Sequence, residues 1–552
     1  MFVYLYPPPS PLYKKCKSIN NMSLPLLPVE ILVQIIKESI PEGFEGLALT
    51  CRRFYDASAI FREQHNKLRR RYRNFKYDIE RTASDDHENN CFSSLHLLLK
   101  IADDPLIARY IVSANFRDDP AHAERDSDEE IDSTFEGFGP SRSTIRGCSN
   151  FRSLFETSPY LRSAGIDPTF FCDFFVSQDW QDRRPVYLYS GIAGRFLLTL
   201  LPNVVDLTLP RNWETFRMYS FHKIHGQTYS LLDEIIQRVN DLSHSSVALS
   251  RLVSVSADPR YFGWEWSAIY PILSIKSVKA FRSSGEYCGL FPDHSHHDFA
   301  PTPWDESYRV DLEVVEFAST CVTESGLQAF LSRLSQLRTL KLSAGSEWHL
   351  CWTNMNAQNF IQVIEDTVGP TLENLSFSVH YTFRNIEAGI TSMKGLSKLK
   401  NLELDIQLLF GDGSYSKVPQ LGDLLPPSLE GLCLMVRNLS NSAADLAYLF
   451  PGSCGGKDDA MPNLKQIVVR YSCEGPPDRD PFELSWPPLS TRLKVKRGIR
   501  KLLTKRVNIS QLKAQLKALG PSVSIKFVKV DGEFGASFME GFGEMPGRLM
   551  VF

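Results

Sequence analysis

From about residue 190 the chain repeats one spacing, an apolar residue at i, i+3 and i+5, often with another three positions earlier. Leu201, Val204, Leu207 and Leu209 fit it, as do Leu312, Val315 and Phe317. So do Leu334, Leu337, Leu340 and Leu342, then Leu372, Leu375 and Phe377. Leu396, Leu399, Leu402 and Leu404 match in full, followed by Leu429, Leu432 and Leu434, and by Met461, Leu464, Ile467 and Val469. The final apolar-x-apolar part has period two and predicts a short strand with one buried face. Runs such as GLQAFLSRL (326–334) and NFIQVIEDTV (359–368) lie between these strands and predict helices. Positions 315, 340, 375, 402, 432 and 467 are separated by 25, 35, 27, 30 and 35 residues. One such unit cannot bury its strand face alone, whereas stacked neighbours make a continuous core and a curved sheet.

A strand plus a helix at this spacing resembles the leucine-rich repeat, over roughly residues 195–475. The Asn or Cys that usually follows the second strand leucine by three positions occurs once among these units, as Asn212. The resemblance implies an irregular α/β solenoid. Read from the residues without it, the same stretch is an irregular α/β domain with amphipathic helices.

The chain begins with a different problem. In LPVEILVQIIKE (27–38) the polar residues Glu30, Gln34, Lys37 and Glu38 fall on one narrow stripe of a helix, and everything else is apolar. A surface helix needs an apolar face only somewhat wider than about 100°. One side can pack on FEGLALTCRRFYDA (44–57). About forty residues of local chain are too few to cover the other side, so the rest of this protein or a partner must cover it.

Leu27-Pro28-x-Glu30-Ile31-Leu32, then Ile35-Ile36, then Leu47-x-Leu49-x-Cys51-Arg52-x-Phe54-Tyr55, is similar to an F-box over roughly residues 24–65. The resemblance implies a three-helix module that docks on the Skp-type adaptor of a cullin-RING ubiquitin ligase. Carried over by position, the adaptor contacts are Leu27, Pro28, Ile31, Leu32, Ile35, Leu47, Cys51 and Phe54. The pattern departs at PEGFEG (41–46), where two glycines are expected to loosen the start of the second helix. The whole chain resembles the F-box proteins of filamentous fungi. It is then expected to be a non-catalytic substrate-recognition subunit of an SCF-type ligase, cytoplasmic and/or nuclear, with an unidentified protein target. The alternative is a scaffold outside any ligase, whose F-box-like helices serve another partner.

The expected organisation is a disordered extension at 1–21, with Met22 an alternative start. The F-box and a basic exit helix follow at 22–81, then a helical linker region at 82–194 holding a disordered acidic insert at 117–147. The repeat-like substrate domain is expected at 195–475, and a basic capping segment with a Gly-rich tail at 476–552. Within the linker region, 93–116 reads as helix, turn and strand, and VSIKFVKV (523–530) alternates like an edge strand.

Of 552 residues, 43% are hydrophobic and 23% charged, and the net charge of −3 commits the chain to neither nucleic acid nor an acidic membrane. No apolar run is long enough to span a bilayer, so no membrane partner is expected, and nucleic acid is not an expected partner. The eleven cysteines contain no CxxC pair and suit a reducing compartment. No P-loop, HExxH, GxSxG or kinase signature occurs, and no enzyme activity or cofactor is expected. The His-rich loop Asp293-His294-Ser295-His296-His297-Asp298 reads as a solvated loop, with no metal site. The run Arg492–Arg506 reads as a helix covering the last repeat, with Ile499, Leu502 and Leu503 inward. Tyr261, Phe262, Trp264, Trp266 and Tyr270 read as core or cap.

Overall fold

Leu340 pairs with Val315 on one side and Leu375 on the other, and the same alignment runs on through Leu402, Leu432 and Ile467. The six positions that carry the sequence repeat are thus one row across one sheet. In the computed structural model of the protein, the residues described are 27–78, 91–117, 119, 148–177, 187–210, 213, 222–241, 247–257, 266–284, 309–320, 322, 324–344, 354–379, 385–411, 421–436, 449, 462–472 and 524–530. The 1–21 extension, the His-rich loop, Arg492–Arg506, the Gly-rich tail and nearly all of the acidic insert lie outside them.

The chain is mixed α/β, with one large parallel sheet. Its strands are β1 (Asn74–Lys76), β2 (Ser113–Asn115), β3 (Asp206–Thr208), β4 (Ser254–Ala257), β5 (Ala280–Ser284), β6 (Val314–Thr320) and β7 (Thr339–Ala344). After these come β8 (Asn354–Asn356), β9 (Asn374–Val379), β10 (Asn385–Ala388), β11 (Asn401–Asp405), β12 (Gly431–Val436), β13 (Gln466–Ser472) and β14 (Ser524–Val530). Twelve of them join the sheet in chain order, and β8 pairs separately with β10. The sheet is longer than the periodic stretch. It starts with β1 and β2, upstream of residue 195, and β14 lies against β13 downstream of residue 475. The strand expected at 523–530 is therefore present, at the edge of the sheet.

One face of the sheet is a double apolar row. Phe281, Val315, Leu340, Leu375, Leu402 and Leu432 form the first line, and Phe317, Leu342, Phe377, Leu404 and Leu434 the second. All are buried. Leu312, Leu337, Leu372, Leu399 and Leu429, three positions before the first line, close each turn and are buried too. The helical runs form as expected, over Glu324–Leu331 and Ala357–Val368. In the second, Phe360, Ile361, Ile364 and Val368 turn inward, and the Asn356 side chain caps the N-terminus by accepting from Asn359 N at 3.1 Å. Of the aromatic stretch, Tyr270 is buried and packs on Phe330 with 6.3 Å between ring centres, while Tyr261, Phe262 and Trp264 lie outside the described residues.

Just before seven strands of the sheet, a charged residue marks the rim. Lys279, Glu313, Arg338, Glu373, Lys400, Glu430 and Lys465 follow one another from β5 to β13, and each donates its backbone N–H to the carbonyl of the one before, at 2.8–2.9 Å. The charge alternates without a break. Side chains pair at 3.9 Å (Lys279–Glu313), 3.7 Å (Arg338–Glu373), 2.7 Å (Lys400–Glu373) and 2.5 Å (Lys465–Glu430). Exposed pairs contribute about 0–1 kcal/mol each. Like charges on adjacent strands would oppose pairing, so the ladder chiefly selects neighbours.

Leu402→Ala should cost about 2–5 kcal/mol of stability, because it opens a cavity in the row. Lys400→Ala, two residues earlier on the rim, should cost less than about 1 kcal/mol. Urea denaturation of the two variants checks both; equal losses would mean that the row is not the core.

Candidate functional site

The N-terminal helices are α1 (Val29–Ser39), α2 (Phe44–Ala48), α3 (Arg52–Ala57) and α4 (Ala59–Tyr72). The first three pack pairwise. Leu32 and Ile36, one turn apart on α1, point inward with Phe44 and Phe54, and all four are buried. Pro28 stands just outside α1 as its cap, and its carbonyl accepts from Ile31 N and Leu32 N at 3.1 and 3.2 Å. Having no N–H, it leaves no donor unsatisfied there. Arg53 Nη2 donates to the Leu27 carbonyl at 2.9 Å and ties α3 to the start of α1.

This core leaves apolar surface outside. Val29 is 52% exposed, Ile31 47%, Leu49 79%, Tyr55 46% and Ile60 68%. Among the described residues, only one other large apolar side chain is so exposed, Val528 on β14. Of the eight contacts expected from the F-box resemblance, Pro28 and Ile31 are exposed, and Leu27, Ile35, Leu47 and Cys51 are half-buried. Leu32 and Phe54 are interior, 0% and 2% exposed, so they support the module and present no surface to a partner. Val29, Leu49, Tyr55 and Ile60 were not expected. Leu49 and Tyr55 lie inside the F-box-like pattern, and Ile60 lies beyond its end at Tyr55.

The module is clamped to the sheet. Glu42, in the glycine-containing turn before α2, accepts from Arg109 Nη2 at 2.6 Å and from Asn203 Nδ2 at 2.6 Å, and Asn203 also donates to the Arg109 carbonyl at 2.7 Å. Arg109 belongs to α6 (Leu106–Tyr110), just before β2, and Asn203 to the turn before β3. Burial raises the Glu42 carboxyl, but the hydrogen bonds from Asn203 and Arg109 outweigh it and hold the group below its ordinary value. His65 of α4 is buried under Phe44, with ring centres 4.2 Å apart, and shares a 2.7 Å hydrogen bond with the Tyr110 hydroxyl. α4 then runs directly into β1.

Beyond α4, α5 (Ser94–Asp103) packs on the helix Tyr187–Leu198. Asp119 corrects one expectation for the acidic insert. It is buried and accepts from Ser94 N at 3.2 Å and Ser94 Oγ at 2.6 Å, so it is a structural cap at the start of α5.

The sheet face opposite the apolar rows carries charge that is used internally. Glu316 on β6 lies 3.5 Å from Arg282 Nε and 3.8 Å from Lys341 Nζ, on the strands to either side. Glu403 accepts from Ser376 Oγ at 2.9 Å and from Arg470 Nη1 at 2.9 Å. Lys341, Glu403 and Arg470 are all nearly inaccessible. Burial pushes the Lys341 ammonium down and the Glu403 carboxyl up, with Arg470 opposing the latter. These groups pair with one another across the strands. Among the described residues no group of three or more His, Cys, Asp or Glu side chains is placed to hold a metal ion, and no helix is long and apolar enough to cross a membrane. No protein-family model matches this chain, and no curated protein matches its sequence.

Ile31→Asp and Leu49→Asp should leave the melting temperature almost unchanged, because both side chains already face water. Leu32→Asp should unfold the module, since it places an unpaired charge in its core. Acid should destabilise the protein through two histidines. Burial lowers the pKa of His65, and burial with help from Lys100 lowers that of His96 to about 4. The ordinary value is 6.5, so below it the unfolded chain binds more protons than the folded one. The stability they contribute is complete above 6.5 and is lost as pH falls toward 4. Urea midpoints should therefore drop between about pH 7.5 and about pH 5; a rising midpoint contradicts this.

Proposed function

We propose that this chain is the substrate-recognition subunit of an SCF-type cullin-RING ubiquitin ligase. In this reading α1–α3 are the F-box and bind the Skp-type adaptor. The chain-ordered parallel sheet is an irregular leucine-rich-repeat-like solenoid that carries a target protein. The observation that carries the reading is the exposure of Val29, Ile31, Leu49, Tyr55 and Ile60 on a small helical cluster whose interior is already filled by Leu32, Ile36, Phe44 and Phe54. Burying a large apolar side chain is worth about 1.5–3 kcal/mol, and five exposed ones gathered in some thirty residues mark an interaction face.

The mechanism is positional. Adaptor and target are held on one chain, so ubiquitin transfer, performed by other subunits, becomes effectively intramolecular. The Glu42–Arg109–Asn203 clamp and the direct passage from α4 into β1 supply the stiffness this needs. The adaptor contacts are then Leu27, Pro28, Ile31, Ile35, Leu47 and Cys51, extended by Val29 and Leu49. Such a subunit works in the cytoplasm, the nucleus or both.

The test is co-purification of the full chain with a Skp-type adaptor. The wild type should capture it, and Ile31→Asp and Leu49→Asp should each reduce capture at least about tenfold, the loss of a central interface anchor. If the folded wild-type chain captures none, the helices serve a scaffold outside the ligase. Equal capture by all three proteins would place the adaptor elsewhere on the chain.

A further inference from the structure

The segment from α4 into β1, NKLRRRYRNFK (66–76), is the most basic stretch among the described residues, and its cations divide into two sets. Arg69 pairs with Glu45 and Arg71 with Asp78. Lys67, Arg70, Arg73 and Lys76 point outward, and among the described residues no carboxylate lies within ion-pair distance of any of them. Glu63, one turn before Lys67, is also exposed and lies outside that distance. The contrast with the rim of the sheet is direct, since there successive strands set a carboxylate beside a cation.

Spacing places these cations beside the apolar face. Ile60, Lys67 and Arg70 follow the i, i+7, i+10 line of one helix stripe. Arg62, on the other side of α4, lies over the Tyr55 ring at 4.2 Å and donates to its hydroxyl at 2.8 Å. Ile60 thus precedes Lys67 and Arg70 along α4, and Arg73 and Lys76 follow at the passage into β1, the four cations spanning about 20 Å.

We propose that Lys67, Arg70, Arg73 and Lys76 form a docking strip for an acidic segment of a partner protein, engaged together with Ile60. The inference rests on reading the neighbouring apolar face as a protein-docking surface. Charge complementarity sets the sign of the partner. The aromatic residues interleaved with these cations, Tyr72 and Phe75, are buried, so the strip offers no platform for stacking bases. Four cations also fall short of the six to ten phosphate contacts of a duplex-binding surface.

The experiment uses the full chain and a labelled peptide of alternating Glu and Ser, with a single-stranded RNA of the same length and vesicles of phosphatidylcholine and phosphatidylserine as competing probes. The peptide should bind at low salt and weaken at least about tenfold as salt rises from about 50 to about 300 mM. K67E/R70E/R73E should abolish binding, and K67Q/R70Q/R73Q, which only removes charge, should weaken it about tenfold. Ile31→Asp should leave peptide binding intact while it reduces adaptor capture. Undetectable peptide binding, equal binding by both triple variants and the wild type, or tighter binding of RNA or vesicles overturns the proposal. If the wild type binds the peptide but captures no adaptor, the strip stands and the ligase reading fails.

Discussion

A strand of three to seven residues with one or two inward side chains has no stability of its own. Leu340 is buried because Val315 and Leu375 flank it, and each of these depends on its next neighbour in the same way. That mutual burial is the constraint on which the sheet depends. It also reaches the N-terminal helices. β1 is the first strand of the sheet and follows α4 after a single residue, so the apolar helices are continuous with the sheet's end.

Electrostatics plays three different parts in the molecule. On the rim, alternating charges select strand neighbours at little net gain in stability. On the polar face of the sheet, Glu316 lies between Arg282 and Lys341 and Glu403 pairs with Arg470, and that face spends its charge on cohesion. Breaking such a pair costs more than replacing both partners with apolar groups. Along α4, Lys67 and Arg70 have no carboxylate within ion-pair distance among the described residues, and they lie on the same helix as the exposed Ile60.

The i, i+3, i+5 spacing was legible because each central strand buries two side chains in period two. β1 and β2 were not read as part of the array. Each is three residues long and offers one inward side chain, Phe75 or Ala114, which cannot form a pattern. The exposed apolar surface of the N-terminal helices was legible as a surplus but not as an orientation. α1 is apolar nearly all round, so periodicity could not say that Leu32 turns inward while Ile31, its neighbour, faces water. Only packing against Phe44 and Phe54 decides it. Glu42 was hidden for another reason. Its partners Arg109 and Asn203 are 67 and 161 residues away, and no local signal connects them. The turn that sequence reads as loosened is where the helices are clamped.

The alternating rim also gives the array a parity. Removing one strand unit from between β5 and β13 would bring two like charges together at the junction, whereas removing two adjacent units would restore the alternation. Units gained or lost in pairs are therefore tolerated better than single ones.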